Sequence, residues 1–535
     1  MAFDPSGAGA RVLVASNRGP VSYTLGDGGP PGPDGLPPLT ARRGGGGLVS
    51  GLSAIGPDAD AVWVCAALGE GDREAVRRAR GRYLDPADTG GQRVRMLDIA
   101  PETFTAAYND IANSVLWFVH HMLYQTPLDP VFDDRFRDRW AAYERYNAAF
   151  ADALAQEAAE GAFVLVQDYH LVLVPGMLRE LRPDLRIGHF SHTPWAPPDY
   201  FRLLPDDVAA QVLRGILGGN RAAFLTRRWA DAFAECCERV LGATVRRVPE
   251  QETDGAAEPD AEVQGAEAVR EAIREAVRGS AAAAAAAGGR LIVEFEGRTT
   301  RIGVHGLGAD AEFLRQRSRQ PDVDERLAAL RAQIGAGRKT IVRVDRTELS
   351  KNIVRGLLAF RRLLEQHPQW HGRVVHIAFA YPSRQDLAVY REYTEEVRRV
   401  AEEINATFGT PDWEPVALHV KDDFARSLAA YRLADVALVN PIRDGMNLVA
   451  KEVPVVSEAG CALVLSREAG ACAELGEDAL VVNPYDVEAT ARALHEALVM
   501  PEGERAERNR RLATAATALP PRDWFLAQLR ALDAG

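Results

Sequence analysis

The chain has 535 residues, 47% of them hydrophobic and 26% charged, with a formal net charge of -12. That length allows two or three domains with full cores, and the acidic balance argues against general nucleic-acid binding, which relies on a broad basic surface. No run reaches the ~18 to 20 consecutive apolar residues that span a bilayer, and no basic-then-apolar leader precedes the first strand-like run. The expectation is a cytoplasmic protein with no nucleic-acid or membrane partner. The sequence leaves a homo-oligomer open.

In chain order, "RVLVAS" (11–16) reads as the first strand. A Pro/Gly-rich stretch follows, then "ARRGGGGLVSGLSAI", where Gly44 to Gly47 precede an apolar helix start. Such a run either frees the backbone to approach an anionic ligand or serves as a linker. "GAFVLVQDYHLVLVPGMLREL" reads as a buried strand, a polar corner at Gln167 to His170, and a helix. "RIGHFSHTPWAPP" repeats that pattern and is stopped by Pro194, Pro197 and Pro198. "AAFLTRRWADAFAECCERVLG" has helical periodicity. Residues 249–289 turn acidic, then charged-helical, then alanine-rich, with a narrow apolar stripe of Val269, Ile273 and Val277, which predicts a surface insertion. "RLIVEFEGRTTRIGVHGLG" reads as a hairpin leading into a strand end.

From Lys339 a second alternation begins: "KTIVRVDR" as strand, "NIVRGLLAFRRLLEQHP" as helix, "GRVVHIAFAYPS" as strand, continuing to "ALVVNP". Alternating strands and helices imply parallel sheets covered on both faces. The predicted fold class is α/β with two Rossmann-like domains, residues 1–330 and 331–515, and a C-terminal helix, 516–535, packing back. Five cysteines without C-x-x-C spacing read as buried reduced thiols.

Arg18, Asp168, His192, Arg346, Arg384 and Asp444 all fall where a strand has just ended, which is where such sheets bind ligands. Each alone reads more simply as a turn contact or cap; together with a glycine run they favour a shared cleft. Arg346 and Lys351 supply the fork and point charge that suit a diphosphate, or else are two solvated cations. Tyr108 and Trp117 can line a sugar-phosphate pocket or belong to the core. The corner "RDGMNLVAKE", 443–452, is either turn and cap chemistry or the floor of a ligand site.

The segments "SNRGPVSY", "GGGGL", "YNDIANSVLW", "QDYHLVLVP", "HTPW", "VDRTELSK", "YPSRQDL" and "PIRDGMNLVAKE" occur in an order that resembles the trehalose-6-phosphate synthases, over nearly the whole chain except 249–289. The resemblance implies two facing Rossmann-like domains of the GT-B type, with the active site in the cleft between them. It also implies a retaining transferase acting on a nucleotide-diphosphate glucose and glucose 6-phosphate. By position it assigns Arg18, Tyr108, Trp117 and Arg384 to the acceptor phosphate and Asp168 to the acceptor sugar. His192 would contact the donor glucose, Arg346 and Lys351 would clamp the diphosphate, and Gly47 would lie in the donor loop. Asp444 would contact a donor hydroxyl, the backbone of Gly445, Met446, Asn447, Leu448 and Val449 would approach donor sugar and phosphate, and Glu452 would hold the ribose. Asp168, His192, Arg346 and Lys351 are the candidates for catalysis.

No D-x-D pair stands at a strand end, so the expectation is metal-independent chemistry with no cofactor. The clamp is "VDRTELSKN" where the family form is closer to VDRLDYSKG, and "HTPW" replaces an HIPF-like run. Asn352 and Trp195 resemble GDP-sugar-using relatives and favour GDP-glucose over UDP-glucose. Two rivals remain: a pseudo-glycosyltransferase joining cyclitols from a GDP-cyclitol, and a silent sugar-phosphate sensor. An Asp444 able to read real glucose disfavours the first, and retention of both subsites disfavours the second.

Overall fold

The computed structural model describes residues 9–26, 38–44, 60–79, 82–248 and 290–533. Two expectations, the approach of Gly47 to a donor and the surface helix of 249–289, lie outside the described residues. The chain divides into two compact units, residues 1–306 with 521–535, and residues 307–520.

The strands of the first unit are β1 (Ala10–Ala15), β2 (Val21–Leu25), β3 (Leu39–Arg43), β4 (Ala61–Ala66), β5 (Arg93–Leu97), β6 (Ala158–Gln167), β7 (Arg186–Ser191), β8 (Arg221–Phe224), β9 (Thr244–Val248), β10 (Arg290–Phe295) and β11 (Arg298–Val304). Nine of them form one sheet in the order β5-β4-β1-β6-β7-β8-β11-β10-β9, with β2 and β3 a separate hairpin. From β5 to β11 the pairings are parallel; β10 runs antiparallel to both its neighbours. Residues Val12 to Ala15 of β1 are buried on both faces, which is why this strand reads as a continuous apolar run and not an alternation.

The second unit holds β12 (Lys339–Arg346), β13 (Val374–Tyr381), β14 (Val416–His419), β15 (Val436–Val439), β16 (Ala462–Ser466) and β17 (Leu480–Val482). They are all parallel, in the order β14-β13-β12-β15-β16-β17. Both sheets therefore start in the middle, grow to one edge, and return to the middle to grow the other way. The chain reverses direction between β1 and β6 in one unit and between β12 and β15 in the other. These are the switch points at which doubly wound sheets open a crevice for ligands. The fold is α/β with two Rossmann-like units, as the alternation predicts.

Three boundaries differ from the sequence expectation. The units divide at 306/307, upstream of 330/331. The helix Pro321–Ile334 belongs to the second unit because Val323, Leu327, Leu330 and Ile334 form a buried stripe and Arg326 Nε donates to Asp423 at 2.9 Å. The stretch read as one helix from Ala222 opens with the strand β8, and its helix runs Arg227–Leu241. A strand this short, buried over its last three residues, carries no alternation that would separate it from a helix. The C-terminal helix Pro521–Asp533 packs on the first unit. There Trp524 meets the edge of Phe190, with ring centroids 4.9 Å apart, and Arg186 pairs with Asp533 at 3.1 Å.

Candidate functional site

In the first unit three expected residues come off three neighbouring strands. Arg18 follows β1, Asp168 follows β6 and His192 follows β7. The corner carrying Arg18 is fastened from below: Trp63 Nε1 donates to Ser16 Oγ (2.7 Å), which in turn donates to the Arg18 carbonyl (2.7 Å). The Tyr146 hydroxyl donates to Asn17 Oδ1 (2.6 Å). Arg18 itself is exposed, so a rigid turn presents a guanidinium to solvent.

Asp168 adopts φ 73°, a left-handed conformation uncommon for a residue with a side chain. Its N–H donates to the Phe190 carbonyl (2.7 Å), and its Oδ1 accepts from the His192 N–H (3.1 Å). The β6 and β7 corners are thereby locked to each other. His192 Nε2 hydrogen-bonds Gln167 Oε1 at 2.9 Å, and the ring lies against Phe190 and Trp524. Burial pushes the His192 pKa down to about 4, and that of His189 beneath it likewise to about 4. Both are neutral imidazoles at physiological pH.

Tyr108 and Trp117 reach the same corner by an unusual route. Residues Ala106–Leu116 form a π-helix. Nine positions separate the two aromatics, roughly two and a half turns of an α-helix, which would put them on opposite faces. The wider i→i+5 winding brings them back toward one side. Tyr108 stacks on His170 (centroids 5.5 Å, 13°), and Trp117 meets Tyr169 (5.6 Å) and stacks on His121 (3.7 Å). Tyr169 and His170 directly follow Asp168. Trp117 is 8% exposed.

In the second unit the expected residues again come off three neighbouring strands. Arg384 follows β13, Arg346 is the last residue of β12 with Lys351 just beyond it, and Asp444 follows β15. Lys351 Nζ sits 2.5 Å from Asp444 Oδ2, across the switch point. Burial opposes the lysine charge, but Asp444, Asp345 and Glu348 outweigh it and hold its pKa above the ordinary value. Arg343, buried inside β12, donates to Asp345 Oδ2 (3.0 Å), to Asn440 Oδ1 (2.7 Å) and to the Lys351 carbonyl, so the lysine turn rests on a charged internal frame.

Arg346 projects outward and pairs with Glu348 at 3.2 Å. Arg384 has φ 49°, lies over the Tyr390 ring at 5.6 Å, and donates to its hydroxyl at 3.0 Å.

The corner 443–452 carries the turn and cap chemistry of one of the two readings offered by the sequence. Asn447, at φ 75°, donates to Asp444 Oδ2 (3.1 Å) and accepts from the Ala450 N–H (3.2 Å), so its side chain does capping work at the helix Val449–Val456. The loop is strapped to the segment beyond β16: Gly470 N–H donates to the Asp444 carbonyl (3.1 Å) and Ala471 N–H to that of Met446 (2.7 Å). A methyl group at Gly470 would overlap the Gly445 carbonyl oxygen. Met446 is buried, and Leu448 is the residue before the helix. Glu452 accepts from the Tyr431 hydroxyl at 3.3 Å, and burial pushes its pKa up.

Sequence reasoning missed Glu348, Arg343, Asn440 and Gly470, and it missed the π-helix. A glycine preceding a short helix was the one legible signal among them. Among the described residues there is no group of three or more His, Cys, Asp or Glu placed to hold a metal ion, and no helix is long and apolar enough to cross a membrane. Asn352 spends its amide on the Asn440 (2.9 Å) and Pro484 (2.8 Å) carbonyls, and Trp195 is 1% exposed. The two residues that favoured guanine therefore sit in internal contacts.

Two doubly wound units with cationic and polar side chains at their switch points define a Rossmann-type α/β protein. The model of glycosyltransferase family 20 matches residues 11–534. The chain belongs to that family, and it is a glycosyltransferase. It is 32% identical over 506 residues to the bifunctional trehalose-6-phosphate synthase/phosphatase of Thermoproteus tenax, covering 94% of this chain and 60% of that protein. It is 31% identical over 509 residues to an alpha,alpha-trehalose-phosphate synthase [UDP-forming] of Aspergillus niger, covering 94% of this chain and 92% of that one. A solved structure from E. coli bound with UDP-2-fluoro glucose matches with a TM-score of 0.76 and 26% identity over 98% of this chain and 99% of the other.

Proposed function

We propose that the protein transfers glucose from a nucleoside-diphosphate glucose to glucose 6-phosphate, forming trehalose 6-phosphate with retention at the anomeric carbon. The observation that carries this reading is the pairing of Lys351 with Asp444 across the second switch point. It puts a phosphate-binding ammonium and a hydroxyl-binding carboxylate within one hydrogen bond of each other. A sugar linked to a diphosphate presents both partners at that spacing. The names of the relatives supply the product, a trehalose phosphate, from which a glucose donor and a glucose 6-phosphate acceptor follow.

In this reading the anomeric C–O bond of the donor breaks as negative charge grows on the leaving diphosphate. Arg346 and Lys351 stabilise that charge where it develops, which lowers the barrier and not merely the binding constant. Protein cations take the role a metal would play, so the chemistry is metal-independent. Attack comes from the face the diphosphate leaves, and a leaving phosphate oxygen takes the proton of the acceptor hydroxyl. Asp168 and Asp444 orient sugars and form no covalent bond, in contrast to the nucleophile of retaining glycosidases; a trapped glycosyl–Asp adduct would overturn this. Neutral His192 can hydrogen-bond a sugar hydroxyl without placing a positive charge there. Arg18, Tyr108, Trp117 and Arg384 hold the acceptor phosphate, Gly47 approaches the donor, and Glu452 takes the ribose hydroxyls. The reaction belongs in the cytoplasm, where its phosphorylated substrates are kept.

The sequence leaned toward GDP-glucose, but Asn352 and Trp195 are turned to internal contacts, and the relatives carry UDP-forming names. UDP-glucose is therefore the donor to test first. The deciding experiment incubates purified protein with UDP-, GDP- and ADP-glucose against glucose 6-phosphate and follows nucleotide release and disaccharide phosphate. No product from any donor would sink the synthase reading, and turnover only with GDP-glucose would restore the guanine preference.

A further inference from the structure

We propose that Glu348 is a positioning residue for both substrates: one buried carboxylate whose two oxygens aim Arg346 at the donor diphosphate and Arg384 at the acceptor phosphate. The inference rests on the assignments of those arginines above.

The geometry begins at the ends of β12 and β13. Thr347 N–H donates to the Tyr381 carbonyl at 2.6 Å, and its hydroxyl donates to the same oxygen at 2.8 Å. That double bond pins the strand ends together, so the residues after β12 lie beside those after β13. Glu348 N–H then turns back to the Arg346 carbonyl at 2.7 Å, which folds the glutamate under the strand end. Its side chain is fully buried. Oε1 receives Arg346 Nη1 at 3.2 Å and the Ser383 hydroxyl at 3.1 Å, while Oε2 faces Arg384 Nη1 at 3.9 Å.

Three physical points favour positioning over simple stabilisation. A carboxylate is costly to bury unless cations and donors surround it, and here each guanidinium meets a different oxygen. The Arg346 side chain is 57% exposed, so its ion pair adds little to the fold; what the contact does is restrict a long, otherwise mobile side chain. Restricting it in advance removes ordering entropy that ligand binding would otherwise cost. Finally, two guanidiniums gathered for two phosphate groups repel each other, and the carboxylate offsets that repulsion while the sites are empty.

The test measures affinities of the full chain by calorimetry, with UDP and GDP as nucleotide probes and glucose 6-phosphate as the acceptor probe. Glu348→Gln keeps the shape and removes the charge. It should weaken both a nucleotide and glucose 6-phosphate by about fivefold or more, the size of coupling between neighbouring residues. In the Arg346→Ala background its effect on the nucleotide should vanish while its effect on glucose 6-phosphate persists; in the Arg384→Ala background the reverse should hold. A purely structural role would not split in that way. A silent Glu348→Gln beside sensitive arginine variants, or losses that simply add, overturns this proposal alone. Arginine variants that leave their assigned ligands unaffected overturn the underlying assignments and this proposal with them. If Glu348→Gln does not fold, Ser383→Ala removes the hydroxyl from the same Oε1. It should weaken both ligands by a smaller factor, and unchanged affinities for both would overturn the proposal.

Discussion

The switch point of the first unit and that of the second are built on the same strand order and furnished with opposite chemistry. Around β1, β6 and β7 the corner is made of neutral histidines and stacked aromatics, with one exposed guanidinium, Arg18, and one carboxylate, Asp168, locked into the backbone of its neighbour. Around β13, β12 and β15 it holds two clusters of charge, one of Arg343, Asp345, Lys351 and Asp444 and one of Arg346 with Glu348. A corner dominated by aromatics and neutral imidazoles suits the hydroxyls and ring faces of a sugar. A charged one suits a diphosphate, whose oxygens need forks and point charges. The fold thus sets where a ligand can sit, and the side chains at the strand ends set what it can be.

The sharpest way to break that contrast is to remove a charge from the second corner. Arg346→Ala should cost about 2 to 5 kcal/mol of transition-state stabilisation, read as the loss in kcat/KM for the donor; a rate near that of the unaltered protein would end the clamp assignment. Next in size is Gly470→Ala, which forces a methyl group onto the Gly445 carbonyl. Overpacking there should cost about 1 to 3 kcal/mol, seen as a lower denaturant midpoint together with weaker nucleotide binding. An unchanged midpoint would mean that the corner yields. Arg384→Ala should raise the half-saturating glucose 6-phosphate by about tenfold or more, the worth of a charged hydrogen bond. Weakened nucleotide binding alone would move Arg384 out of the acceptor site.

The smallest effect probes the first corner through pH. His189 and His192 are held by burial at about 4, below the ordinary value of 6.5. Between those values the unfolded chain takes up protons that the folded one refuses, so folding stability falls as pH drops from about 6.5 toward 4. The melting temperature should decline over that window, and His189→Gln should flatten the decline. A melting temperature independent of pH there would show these imidazoles to be protonated in the fold.

Strand ends, glycines and the run of polar corners were legible because they are local. A buried parallel strand is a run of apolar residues, and the residue that ends it is written beside it. Hence Arg18, Asp168, His192, Arg346, Arg384 and Asp444 could all be placed at strand ends from the sequence. The short strand β8 was not legible, because four residues, the last three buried, carry no periodicity. The π-helix was not legible either, since nothing in "AAYNDIANSVL" distinguishes i→i+5 winding from i→i+4.

By itself the sequence determined the fold class, the strand-end residues and the family resemblance, since all three depend on residue type and spacing along the chain. Only the tertiary structure decided which strand ends are neighbours. It also decided that Lys351 pairs with Asp444, that Asn352 and Trp195 face inward, and that Glu348 lies between two arginines. These depend on strand order and burial, which bring together residues 93 positions apart in the Lys351–Asp444 pair and 132 apart where Asn352 meets Pro484. Electrostatic partnership in a low-dielectric interior is set by distance in space, and sequence separation carries no measure of it.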